Sequence, residues 1–220
     1  VDRWGIRMIL HVSGLRSLSP ATFVLRFDRG GISFRPGQYL RLGLPERIDR
    51  REYSIYSAVG DAYLEVLVRE VEGGLVSGQL RRLRPGDELA VEGPFGTFTR
   101  PNDASVQGRY LLVATGTGIS PFHSFALSDS TLDYLLLHGV RASSEFYEHS
   151  SFDSRRLVRC VTRERGGDFA GRVTDYLRSH PQGSDALCYL CGNCDMIYEA
   201  FAILRDQGFA PERIYTEVYF

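Results

Sequence analysis

The chain has 220 residues, 43% of them hydrophobic and 24% charged, with a formal net charge of −1. That is a globular composition, enough for one large domain or two small ones. Near-neutral charge argues against binding nucleic acid by phosphate neutralisation, and no apolar run approaches the ~18 residues of a membrane span. All 26 basic residues are Arg, which excludes Schiff-base chemistry on lysine and a P-loop. Any phosphate must then be held by Arg, hydroxyls and backbone N–H groups. Val1-Asp2-Arg3-Trp4 lacks both a starting Met and the basic-then-apolar layout of a secretory signal, as expected of a trimmed chain without a leader. Cys160, Cys188, Cys191 and Cys194 all fall in the last third, which reads as reduced thiols in a cytoplasmic protein rather than a disulfide scaffold.

Residues 1–100 alternate apolar and polar over short runs, predicting strands at 7–12, 23–27, 38–44, 52–57, 63–69 and 88–93. Arg26 faces away from Phe23, Leu25 and Phe27, while Leu64, Val66 and Val68 share a face. Turn signals such as Gly30-Gly31, Arg35-Pro36-Gly37 and Arg84-Pro85-Gly86-Asp87 separate the runs. The spacing predicts an antiparallel barrel, interrupted by one helix over 75–83. Residues 100–108 are polar and read as a linker.

Beyond it, from 109 to 220, the rhythm becomes strand, Gly-rich turn, helix. Nearly continuous apolar strands are predicted at 110–114, 134–140, 157–162, 186–191 and 214–219, with helices at 121–127, 172–179 and 195–207. This is the pattern of an open, Rossmann-like α/β parallel sheet. Residues 1–100 carry 15 Arg against 12 acidic residues (+3), the remainder 11 against 15 (−4).

Thr115-Gly116-Thr117-Gly118-Ile119-Ser120-Pro121 follows the first strand of the second half and opens a helix. Glycines there let backbone N–H groups approach a pyrophosphate at the helix N-terminus. The third glycine of a dinucleotide fingerprint is replaced by Pro121. Arg141 and Arg163 follow the ends of the next two strands and Arg172 opens a helix, a placement suited to a 2′-phosphate and hence to NADP(H). Individually, each is equally readable as a surface arginine. In the first half, Arg51, Tyr53 and Ser54 offer a phosphate contact, a stacking ring and a hydroxyl, as flavin binding requires, and Gly73-Gly74-Leu75-Val76-Ser77 is a second phosphate turn. Cys188-x-x-Cys191-x-x-Cys194 has the spacing of part of an iron–sulfur loop. Against that reading, Cys188 lies in an apolar strand and no Cys-Pro ligand follows. The histidines show no metal-ligand spacing; His138, at a strand end, reads as structural and His123 sits in the first turn of a helix.

Taken in order, Arg51-x-Tyr53-Ser54, Gly74-x-Val76-Ser77, Gly93-Pro94-Phe95-Gly96, Gly116-Thr117-Gly118-x-x-Pro121, Cys191-Gly192-Asn193 and Glu217-Val218-Tyr219 resemble the ferredoxin–NADP reductase superfamily of FAD-dependent oxidoreductases over almost the whole chain. The resemblance implies that Arg51 contacts the FAD pyrophosphate, Tyr53 lies against the isoalloxazine, and Ser54 approaches the nitrogen that accepts the hydride. Gly74, Val76 and Ser77 would support the FAD phosphates. Thr115, Gly116, Thr117, Gly118 and Gly192 would bind the nicotinamide nucleotide. Cys191 would sit near the nicotinamide carbon, with Glu217 as the third residue near the reacting atoms. Tyr219 by resemblance, or Phe220 by position, would cover the flavin. Cys194 stands where the family usually has Pro, and Phe220 extends beyond the usual terminal Tyr.

The implied enzyme exchanges electrons between NADP(H) and a one-electron carrier, ferredoxin or flavodoxin. Its alternatives are the reductase component or electron-transfer subunit of an oxygenase, and a nucleotide-binding regulatory module without turnover.

Overall fold

A computed structural model describes residues 6–101 and 108–219. Phe220, one of the two aromatics expected to cover a flavin, lies outside the described residues. The chain forms two compact units: one holds the residues up to Arg100 together with Ser120–Ser128, the other holds Pro101–Ile119 and everything from Asp129 onward. The division read from the sequence, 1–100 and 109–220, differs chiefly in assigning the 121–127 helix to the second half.

In the first unit, strands β1 (Ile6–Ser17), β2 (Thr22–Asp28), β3 (Tyr39–Gly43), β4 (Arg51–Ser54), β5 (Tyr63–Arg69) and β6 (Glu88–Phe95) form an antiparallel sheet in the order β4-β3-β6-β1-β2-β5. A bridge between Ile55 and Val66 brings the two ends of that order together, so the sheet nearly closes into a barrel. The predicted alternation sets its inside: Phe23, Leu25 and Phe27 of β2 meet Leu64, Val66 and Val68 of β5 in one buried core. Each such side chain contributes roughly 1.5–3 kcal/mol by leaving water. Arg26 points the other way, its guanidinium 2.8 Å from the Glu65 carboxylate and 3.8 Å from the centre of the Tyr63 ring. Helix α1 (Leu75–Leu80) inserts Val76 and Leu80 into the same core.

In the second unit, β7 (Tyr110–Thr115), β8 (Tyr134–Val140), β9 (Leu157–Val161), β10 (Phe169–Ala170), β11 (Leu187–Gly192) and β12 (Ile214–Val218) are parallel, in the order β10-β9-β8-β7-β11-β12. Both faces of a parallel sheet are covered, so β11 is buried along its whole length. Helix α3 (Val173–Ser179) supplies Val173 and Leu177 to the core, and α4 (Cys194–Asp206) supplies Ile197, Ala200, Ile203 and Leu204. The reversal of strand order beside β7 places the first crossover turn at the carboxyl edge, where open α/β sheets bind ligands. β10, two residues long, has no counterpart in the sequence reading.

The helix of residues Ser120–Ser128, α2 in chain order, is Ser-rich on the side that meets the first unit. Ser120 Oγ donates to the Ser54 carbonyl at 3.1 Å, Ser124 Oγ donates to the Ser57 carbonyl at 2.7 Å, and Ser128 Oγ accepts from Val59 N–H at 2.9 Å. Nδ1 of His123 lies 2.8 Å from the Tyr56 carbonyl, and the two rings stack at 3.7 Å. From Ser54 onward the backbone is thus met by hydroxyls and an imidazole of α2 on one side, while Tyr56 N–H donates to the Glu65 carbonyl of β5 at 2.8 Å.

Candidate functional site

β4 pairs with β3 through Leu42–Arg51, Leu40–Tyr53 and Tyr39–Ser54. Strand alternation puts Arg51 and Tyr53 on one face and Ser54 on the other. Arg51 is exposed, and its guanidinium donates to the Arg50 carbonyl at 3.0 Å. Burial pushes the Tyr53 phenol up to about 12 against the opposing pull of Arg51, so the ring stays neutral at physiological pH. Ser54 is buried, its carbonyl held by Ser120. The structure therefore joins Arg51 and Tyr53 and turns Ser54 the other way.

Gly74 precedes α1, and its N–H donates to the Val71 carbonyl at 2.8 Å. A Cβ at Gly74 would lie 2.8 Å from Ser77 Oγ and 2.9 Å from the Val71 carbonyl. The turn is thus closed on itself, too tight for any residue but glycine at position 74. Ser77 is committed locally, its hydroxyl accepting from Val71 N–H at 3.1 Å, and Val76 is a core residue.

At the end of β7 the chain enters a 3₁₀ turn, Gly116–Ile119, that continues into α2. Gly116 has φ +53, open to glycine at no steric cost. A Cβ on Gly118 would sit 2.3 Å from the Cys191 carbonyl oxygen and 2.8 Å from Gly192 Cα. One on Gly192 would sit 2.4 Å from Thr115 Oγ1. These two glycines let the ends of β7 and β11 close on each other, and Thr115 Oγ1 accepts from Asn193 N–H at 3.0 Å. Thr115, Gly118, Cys191 and Gly192 thus close a backbone-lined cradle where β7 and β11 end, beside the turn that Gly116 opens.

Cys191 is fully buried and lies opposite Glu217 in the β11–β12 register. Burial, with the Glu217 charge beside it, pushes its thiol well above the usual range, against a hydrogen bond from the Tyr219 side chain. At neutral pH it is a thiol, an uncharged wall and not a nucleophile. Tyr219 N–H also donates to the Gly192 carbonyl at 2.9 Å, which ties the terminal aromatic to the cradle. Cys188, three residues before Cys191 on the same strand, faces the opposite side and belongs to the core, its thiol pushed up to about 12 by burial.

The three arginines share one edge. Arg163 N–H donates to the Arg141 carbonyl at 2.9 Å, and Gly171, next to Arg172, donates to the Val161 carbonyl at 2.9 Å. Arg141 is engaged by Glu145, with Nη2 at 2.8 Å from Oε1. Arg163 and Arg172 are exposed and form no ion pair among the described residues. At this edge Arg163 is exposed, whereas the charge of Arg172 also acts on Glu199 and helps to hold its carboxyl down.

Sequence reasoning missed Ser120, His123 and Ser124 as the residues that hold the backbone carrying Ser54. It also missed the contact of His138 with the Gly116 carbonyl at 2.9 Å.

An Arg-x-Tyr strand on a barrel-like sheet, with a Gly-rich dinucleotide turn on a following parallel sheet, defines a flavin- and nicotinamide-dependent oxidoreductase. Residues 10–99 match the oxidoreductase FAD-binding domain family and residues 112–201 the oxidoreductase NAD-binding domain family. The chain is 32% identical to ferredoxin–NADP reductase of Pseudomonas aeruginosa, over 81% of each chain. It is 28% identical to the toluate 1,2-dioxygenase electron transfer component of Pseudomonas putida, over 94% of this chain and 66% of that one. Among solved structures, the Amycolatopsis cytochrome P450 reductase GcoB superposes with a TM-score of 0.85 at 26% identity, covering 97% of this chain and 70% of that one. The chain belongs to the ferredoxin–NADP reductase superfamily and carries its FAD-binding and NAD-binding domains. It spans about two thirds of the length of the dioxygenase electron transfer component. None of its described helices is long and apolar enough to cross a membrane.

Proposed function

We propose that this chain is the flavin- and nicotinamide-binding part of a reductase that supplies single electrons to a multicomponent oxygenase through a ferredoxin-type carrier. The observation that carries this reading is the match along 94% of the chain to a dioxygenase electron transfer component. Bound FAD would accept a hydride and release its electrons one at a time. The chain's own contribution is positioning. Arg51 would neutralise the FAD pyrophosphate, Tyr53 would lie against the ring system as a neutral phenol, and the Gly74–Ser77 turn would take a phosphate. Ser54 would act near the ring through a peptide that Ser120 holds still. The cradle of Thr115–Gly118 and Gly192 would orient the nicotinamide nucleotide. Cys191 would exclude water as a neutral thiol, and Glu217 beside it would hold the residual charge. Tyr219 would cover the face that nicotinamide must reach. A reducing compartment, the cytoplasm, suits four free thiols.

A second reading, a ferredoxin or flavodoxin–NADP reductase, is favoured by the exposed Arg163 and Arg172 at the sheet edge, which suit a 2′-phosphate. One experiment separates the two. Purified protein should show the paired absorption bands of FAD and bleach with reduced nicotinamide nucleotide. Its turnover is then compared with ferredoxin, flavodoxin and an oxygenase-type iron–sulfur carrier as acceptors. Fastest reduction of the oxygenase-type carrier supports the first reading; preference for flavodoxin with NADPH supports the second. A colourless protein that cannot be loaded with FAD overturns both.

A further inference from the structure

His138, the fifth residue of β8, is fully buried. Its Nε2 lies 2.9 Å from the Gly116 carbonyl and its Nδ1 lies 2.7 Å from Nε2 of His149. A carbonyl can only accept, so Nε2 of His138 carries the proton and donates. Protonating Nδ1 as well would bury a cation, and burial pushes this imidazole down to about 4. Nδ1 is therefore a lone pair, and Nε2 of His149 donates to it. His149 is itself pushed down to about 3, by burial and by His138 and Arg159, with Asp168 opposing. The result is a directed chain, His149 to His138 to the Gly116 carbonyl. It is walled by the rings of Phe146, 4.7 Å from His149, and Tyr147, 6.2 Å from His138.

Gly116 opens the 3₁₀ turn it belongs to. It has φ +53, and nothing lies within 4 Å of where its Cβ would be. With no side chain, Gly116 adds no steric restraint to the peptide joining it to Thr117, whose direction is set by the 3₁₀ turn and by what its carbonyl meets. In a trans peptide the carbonyl and the following N–H point in opposite directions. Whatever fixes the Gly116 oxygen therefore fixes the direction of the Thr117 N–H.

We propose that His138 is a positioning residue that latches the Gly116–Thr117 peptide plane, presenting the Thr117 N–H to the phosphate of a nicotinamide dinucleotide, and that His149 sets the tautomer in which His138 can do so. The proposal rests on the reading of Thr115–Gly118 as the dinucleotide turn. It predicts a division within one ligand. The nicotinamide and pyrophosphate half depends on the latch, whereas the 2′-phosphate, held by Arg163 and Arg172 beyond β9, does not.

The test is isothermal titration of the FAD-loaded full chain with NADP⁺ and with 2′-phospho-AMP, which lacks the nicotinamide half. His138→Leu removes the donor and should weaken NADP⁺ by about tenfold while changing 2′-phospho-AMP by no more than about twofold. His138→Gln, whose amide can still donate to the carbonyl, should restore most of the loss. His149→Leu should weaken NADP⁺ by about threefold, and nitrogen-15 spectra of wild type should show His138 as the neutral Nε2–H form. NADP⁺ binding by His138→Leu as tight as wild type overturns the latch, and so does an equal loss of both ligands. A wild-type chain that binds neither ligand overturns the dinucleotide reading itself, and the latch with it.

Discussion

Gly118→Ala tests the cradle most directly, because the space for a methyl group is absent on the backbone side. The added Cβ would lie 2.3 Å from the Cys191 oxygen, 2.6 Å from the Cys191 carbonyl carbon and 2.8 Å from Gly192 Cα. Ordinary contacts begin at 3.4 Å, about 1 Å beyond the shortest of these, and none of these atoms is the movable end of a side chain. The ends of β7 and β11 must therefore separate by about 1 Å against their own ladder, which pairs Cys191 with Ala114. Overpacking of this kind costs about 1–3 kcal/mol, and displacing a binding group by about 1 Å costs up to about a hundredfold in rate. Two companion variants separate space from dihedral. Gly116→Ala meets nothing within 4 Å but must hold φ +53, and should lose about 1 kcal/mol. Gly60→Ala meets nothing and needs no positive φ, so it should be neutral. The assay is urea unfolding of each variant beside NADP⁺ titration. FAD content should stay at the wild-type level throughout, since Gly118 lies in the second unit. Wild-type stability and wild-type NADP⁺ affinity in Gly118→Ala would refute the idea that glycine is there to let two backbones meet.

Arg163→Ala and Arg172→Ala should each lower NADPH efficiency by about tenfold and leave NADH almost unchanged, because charge-assisted bonds contribute roughly 1.5–3 kcal/mol. Arg141→Ala should do less, its guanidinium being engaged by Glu145; equal losses with both nucleotides would exclude a 2′-phosphate site. Stability should fall on acidification below the ordinary histidine range of 6.5: the unfolded chain takes up protons that buried His138 refuses until about pH 4. From pH 7 to pH 5 this one group should remove about 2 kcal/mol, and urea midpoints of His138→Gln should show a shallower slope; parallel slopes would mean that His138 is not the group. Tyr219→Ser should tighten NADP⁺ and produce a charge-transfer band on titration, since it removes the aromatic held beside Cys191; an unchanged spectrum would show that another group covers the flavin.

The strands of both units were legible because their burial imposes a period. Phe23, Leu25 and Phe27 read as one face of β2 because that face is buried, and β11 reads as continuously apolar because both of its faces are. Boundaries failed where pairing outlasts the pattern. β1 runs on to Ser17 because an irregularity between Val12 and Gly14 lets it continue along β2, while in sequence Gly14 looks like a stop. β10 pairs only Phe169 and Ala170 with β9, too few residues to show any period.

The carboxyl edge of the parallel sheet was legible for a different reason. A parallel sheet gathers the carboxyl ends of its strands on one edge, so residues far apart in sequence meet there without any periodic signal of their own. Knowing the strand ends was enough to bring Thr115, Arg141, Arg163 and Gly192 to that edge. What the pattern could not carry is polar matter turned inward. Ser120, Ser124 and Ser128 recur as a water-facing helical stripe would, yet Ser120 and Ser124 are buried because they meet backbone carbonyls after β4. His138 and His149 are eleven residues apart, across short 3₁₀ turns, and only tertiary packing makes them neighbours. Both groups act on main-chain oxygen, which no sequence pattern displays. A polar side chain at an unexpected depth is thus a question about which carbonyl it serves, and in this chain those carbonyls belong to Ser54, Tyr56 and Ser57 at and beyond the end of β4, and to Gly116 in the turn after β7.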